Sequence, residues 1–148
     1  MTDIAFHFNA ADKLGYVCRL VRKAHSQGAK LVVCADAQHL QALDAQLWTF
    51  APLEFVAHCR DDSPDPVLQA SPVILANDLQ RAAALPHRQV LVNLSPSMLN
   101  GFEKFERVIE VVSQDEQDRQ QARQRWKHYT DLGYSITRHD LNLRETSI

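Results

Sequence analysis

Leu31-Val32-Val33-Cys34-Ala35 is an apolar run with no polar side chain in it. It is too short for a buried helix and reads as a strand covered on both faces, the pattern of a parallel sheet wrapped by helices. Val73-Ile74-Leu75-Ala76, Val90-Leu91-Val92-Asn93-Leu94 and Val108-Ile109-Glu110-Val111-Val112 repeat the pattern. Near the start, Ile4, Phe6 and Phe8 alternate with Ala5 and His7, which predicts a first strand. Short apolar strands scattered through a chain need connections long enough to cross over the sheet, and those connections are normally helices.

The intervening segments have helical spacing. Leu14, Val17, Cys18, Val21 and Ala24 recur at three- and four-residue steps, with Asn9 and Asp12 as the N-terminal signals and Gly28 as the stop. Asp36 precedes a second helix whose inner face is Leu40, Leu43 and Leu47. Thr49 to Ser71 holds three of the six prolines and four acids, and reads as an irregular connection. Asp78 to Ala84 suggests a short helix ended by Pro86. Ser113 and Glu116 have capping-box spacing ahead of a last helix, from about Asp115 to Leu132 with Gly133 as its stop. Ser135-Ile136-Thr137 suggests an edge strand, followed by a polar tail. The fold class is therefore α/β: one domain over 1–148, with a mostly parallel central sheet, helices on both faces and Rossmann-like topology.

The chemistry that often accompanies this architecture is missing from the sequence. The four glycines are scattered, and the turn after the first strand, Asn9-Ala10-Ala11-Asp12, contains none. A nucleotide-binding loop needs clustered glycines so that backbone can approach phosphate, so no cofactor of that kind is expected. The seven histidines form no His-x-x-x-His pair and the three cysteines no Cys-x-x-Cys, which argues against a metal. No Gly-x-Ser-x-Gly elbow is present, and no catalytic residue is assigned. An odd number of dispersed cysteines points to a reducing compartment. No apolar run approaches the roughly 20 residues of a membrane span, and no signal peptide is visible, so the cytoplasm is expected. The formal net charge of −2 argues against a general nucleic-acid binder, and any contact with DNA is expected to be indirect or weak.

Two constellations remain. In the last helix Arg119, Arg123 and Lys127 stand four residues apart on one face, beside Ala122, Trp126 and Tyr129. Guanidinium forks next to a flat apolar surface suit a peptide that is both acidic and hydrophobic. An acid-first, base-last helix is also what the macrodipole favours, and the aromatics are also candidates for the core. Trp48 and Phe55, on either side of a proline-containing stretch, are candidate core plugs or candidate anchors of a partner surface.

The ordered set of residues resembles the chi subunit of the bacterial DNA polymerase III clamp-loader assembly. It comprises Leu43-Asp44 with Leu47-Trp48, Phe55-Val56 with His58, Pro72-Val73 and Val92-Asn93-Leu94. It continues with Phe105 through Val111, then Ala122-Arg123, Arg125-Trp126-Lys127, Tyr129 and Gly133-Tyr134, and covers nearly the whole chain. The resemblance implies a non-catalytic adaptor without cofactor. It implies pairing with the psi subunit through a surface near Trp48 and Phe55. It further implies that Arg119, Arg123, Trp126 and Lys127 bind the acidic, phenylalanine-ended C-terminal tail of single-stranded DNA-binding protein. Ala57 departs from the proline common in the family, and Trp126 from the tyrosine. A nucleotide-binding or small-molecule enzyme of the same α/β class, or a chi-like adaptor for another partner such as a helicase, are the alternatives.

Overall fold

In the computed structural model, residues 2–49, 58–79, 85–96 and 98–141 are described. The described residues include seven strands and four α-helices: β1 (Asp3–Ala10), α1 (Lys13–Ser26), β2 (Leu31–Cys34), α2 (Ala37–Thr49), β3 (His58–Arg60), α3 (Asp65–Ala70), β4 (Val73–Ala76), β5 (Val90–Asn93), β6 (Arg107–Ser113), α4 (Glu116–Asp131) and β7 (Ile136–Asp140). The strands form one sheet in the order β3-β4-β2-β5-β6-β1-β7, and every pairing is parallel. Every residue of β2, β4 and β5 is buried, which is why these strands are apolar on both sides.

The two faces of the sheet carry separate cores. On one, Val17, Cys18 and Val21 of α1 and Leu40, Leu43 and Leu47 of α2 pack on Val33, Val92 and Val111. On the other, Ala122 and Tyr129 of α4 and Leu68 of α3 pack with Phe6, Val32, Ile74 and Val108. This is the expected α/β arrangement with helices on both faces. Cys18 and Cys34 lie in these cores as free thiols, and burial pushes them up to about 11 and about 12 respectively. At neutral pH they are packing groups rather than nucleophiles. Among the described residues, no helix is long and apolar enough to cross a membrane.

Several local expectations are corrected. The cap of α1 is Asp12, whose carboxylate accepts from the Gly15 N–H at 3.1 Å; Asn9 is still in β1, at φ 66°, and donates to Asp140. A Cβ on Gly15 would sit 2.4 Å from the Asp12 carboxylate, so the bare backbone is what lets this cap close. The stretch from Thr49 to Ser71 is not wholly irregular, since β3 and α3 lie within it. β3 is a three-residue edge strand of half-buried residues, too short to show a period, and α3 lasts six residues with Pro66 in its first turn. The cap of α4 is Asp115, which accepts from the Asp118 N–H, while Ser113 donates its N–H and hydroxyl to Asp118 Oδ2. The capping pair is thus Asp115 with Asp118, and Glu116 is left facing solvent. β7 starts at Ile136 and runs three residues past its expected end at Thr137, through Asp140. Most of the helix expected at Asp78–Ala84 lies outside the described residues.

Candidate functional site

The site is assembled from α4, β1 and β7. Along α4, Ala122, Arg125 and Tyr129 are buried against the sheet, so Arg119 and Arg123 project to solvent and Trp126 stands half-buried at the boundary. Strand alternation brings Ile4, Phe6 and Phe8 of β1 to the α4 face. In β7, Arg138 pairs in register with Phe6 and shares that face. Gly133 (φ 91°) ends α4 in the left-handed region and turns the chain into β7, which positions the cation.

Between these elements lies a groove of about 430 Å³. Its floor is Phe6, Phe8, Val112, Ala122 and Trp126, and its rim carries Arg119, Arg123 and Arg138. The Phe6 and Trp126 rings are in contact, with centres 5.1 Å apart and planes tilted by 54°, and together form one apolar surface. Arg138 lies over both walls, its Cζ 5.4 Å from the Phe8 ring centre and 5.8 Å from that of Trp126. Glu116 stands nearby, at 3.9 Å from Arg119 and 3.7 Å from Arg123. Both contacts are long and solvent-exposed, and pairs of this kind contribute about 0–1 kcal/mol. An incoming carboxylate can therefore replace Glu116 at little cost.

Of the residues expected from sequence, Arg119, Arg123 and Trp126 meet at this groove. Lys127 is exposed on α4 outside the lining, and Tyr129 belongs to the core rather than to the groove. Sequence reasoning missed Arg138, Phe6 and Phe8 as groove residues. The alternation of Ile136 with Arg138 carries the signal, but the edge strand expected from sequence ends at Thr137.

Beneath the groove, α4 is pinned by buried polar side chains. Glu110 of β6 accepts from Arg125 Nε at 2.9 Å, from the Tyr129 hydroxyl at 2.6 Å, and from Asn93 Nδ2 at 3.1 and 3.0 Å. Arg125 also donates through Nη1 to the Pro96 carbonyl at 2.8 Å, while its Nη2 is buried without a partner among the described residues. Burial pushes the Glu110 carboxyl up, against the pull of Arg125, Tyr129 and Asn93. Burial also pushes the Tyr129 hydroxyl up, and the adjacent Glu110 adds to it. Every partner of Glu110 is a donor, the arrangement that satisfies an ionised carboxylate.

At the far end of the sheet, Trp48 at the end of α2 is 56% exposed and packs on the His58 ring at 5.1 Å. The buried His58 side chain contacts Asp44 Oδ1 through Nε2 at 2.7 Å, which ties α2 to β3. Phe55, the other residue assigned to this surface, lies outside the described residues.

The family profile described as DNA polymerase III chi subunit, HolC, matches residues 1–137. The chain belongs to the DNA polymerase III chi subunit family. DNA polymerase III subunit chi of Pseudomonas aeruginosa is 31% identical over 148 residues, covering 95% of this chain and 98% of that protein. The subunit chi of Escherichia coli is 26% identical, covering 81% of this chain and 80% of its own length. That of Haemophilus influenzae is 27% identical, covering 81% of each. The match with the chi family spans every element that builds the groove except the last residues of β7.

Proposed function

We propose that this chi-family chain is a non-catalytic accessory subunit of DNA polymerase III in the cytoplasm. It bridges the clamp loader to single-stranded DNA-binding protein during DNA replication, by holding that protein's acidic C-terminal tail in the α4 groove. The observation that carries the reading is the convergence of three guanidinium groups, from Arg119, Arg123 and Arg138, on one aromatic-floored groove. A phenylalanine-ended acidic tail offers both halves of the complement. The ring packs on the apolar floor formed by Phe6, Phe8 and Trp126, Arg123 takes the terminal carboxylate or a nearby acid, and Arg119 takes another. Lys127 adds positive field from outside the lining. A second surface, Trp48 with Phe55, faces psi; its support is the exposure of a large indole on an otherwise polar helix end.

Calorimetric titration with a peptide copying the last ten or so residues of the tail tests the reading. Binding is expected in the micromolar range, about −8 kcal/mol, weakening with salt and lost in Arg123→Ala. Absence of binding by the native chain refutes the tail assignment.

A further inference from the structure

The opposite face of the sheet carries a second groove that the α4 site does not use. Its volume is about 480 Å³, and it runs alongside α1. Right-handed crossovers place α1 and α2 over the middle of the sheet, and beyond β6 the first turn of α1 touches β1 through Tyr16 and His7. The β1 and β7 strands therefore present part of this face without a helix over it. The floor passes from Val90 and Ile109 to Leu141, with Leu20 of α1 along one side. His7 and His139, paired in register on β1 and β7, close the far wall with ring centres 4.5 Å apart.

The rim of this groove is cationic. Arg19 and Lys23 are four residues apart on α1, and Arg107 faces them from the start of β6. All three side chains are exposed, and among the described residues none forms an ion pair. The sequence around them is unusual in a chain of net charge −2. From Lys13 to Lys30 there are five Lys or Arg residues (Lys13, Arg19, Arg22, Lys23, Lys30) and no Asp or Glu. The acid nearest in register is Asp3, opposite Arg107 on β1. Lys13 is engaged elsewhere, with Asp118 at 3.1 Å.

An apolar floor with a cationic rim selects among polyanions. Single-stranded nucleic acid needs open aromatic faces on which bases stack. The one tyrosine here, Tyr16, has its hydroxyl bonded to His7 Nδ1 and its ring against the His7 edge, so it offers no such platform. Aliphatic floor residues and separated cations instead match a peptide with interspersed apolar and acidic side chains. We infer that the α1 face is a second docking groove for a short acidic, apolar-rich peptide. The chain then holds two such segments at once, one on each face of the sheet.

The test is amide NMR on the full chain, titrated with a ten-residue peptide of mixed aspartate, glutamate, leucine and phenylalanine. The α4 groove is blocked by Arg123→Ala so that the two sites are read apart. Shifts are expected at Leu20, Ala24, Ile109 and His139, persisting in Arg123→Ala. They weaken roughly tenfold or more in Arg19→Glu/Lys23→Glu, whose substitutions are exposed and whose fold is checked by circular dichroism. Two results overturn the inference: no shift at these amides with millimolar peptide, or shifts unchanged by the charge reversal. Binding of an oligothymidylate at these amides in preference to the peptide overturns the peptide assignment. Loss of tail binding at α4 alone leaves the α1 shifts in place, so failure of the first groove and of the second are distinguishable.

Discussion

Replacing Arg125 with methionine removes a guanidinium that is 2% exposed and leaves Glu110, 0% exposed, without its counter-charge. Asn93 and Tyr129 still donate to the carboxylate, but neither carries charge. Breaking a buried pair from one side costs about 3–5 kcal/mol, because the remaining ion is desolvated and uncompensated. A domain of this size has roughly 5–15 kcal/mol of stability in all, so the variant is expected to lose about a fifth or more of it. In urea, with a slope of about 2 kcal/mol per molar, the midpoint falls by ~1.5–2.5 M. The double variant Glu110→Gln/Arg125→Met removes both charges, and the glutamine carbonyl still accepts from Tyr129. It is expected to recover more than half of the loss, giving a coupling of at least about 1.5 kcal/mol in a double-mutant cycle. If Arg125→Met costs under about 1 kcal/mol, or if the two changes are additive, the buried pair is not what fixes α4 to β6.

Arg138→Ala removes the cation lying over Phe8 and Trp126; tail-peptide affinity is expected to fall about 3- to 10-fold, with stability changed by under about 1 kcal/mol, as read by calorimetry and urea melts. For Asp118, burial alone would raise the carboxyl, but the Ser113 N–H and hydroxyl and the Lys13 ammonium outweigh it and hold the group below its usual range. A depressed carboxylate contributes stability that is present above its unfolded value and lost as pH falls through its folded one. Asp118→Asn is therefore expected to show a shallower loss of stability from about pH 4 downward than the native chain. Equal slopes in acid titrations followed by circular dichroism would refute that account.

The sheet was legible because its central strands are buried on both sides. β2, β4 and β5 have no choice but to be apolar throughout, and that pattern survives without any neighbouring context. The edges were not legible for the same reason. β3 and most of β7 are half-covered, so their residues answer to solvent as much as to the core and carry no strong period. Half of the α4 site could be read from the four-residue spacing of Arg119 and Arg123. The other half depends on register: only the pairing of Phe6 with Arg138 brings that cation to Trp126, and pairing between strands distant in sequence leaves no local trace. Glu110 was visible as an acid inside an apolar strand, but its partner Arg125 looked like one more basic residue on a basic helix.

β7 places Arg138 on the α4 face and the very next residue, His139, on the α1 face, where each helps to line a different groove. Adjacent strand residues alternate sides, so the two surfaces share one clock. One residue added within β7 ahead of Arg138, unless taken up as a bulge, turns Arg138 away from Trp126 and sends a different side chain to the histidine wall, altering both grooves in a single step. An even change within the strand preserves the facing of every side chain, whereas a residue added in the connector before Ile136 is absorbed by the turn. The two opposite surfaces are thus locked in one phase by a single strand.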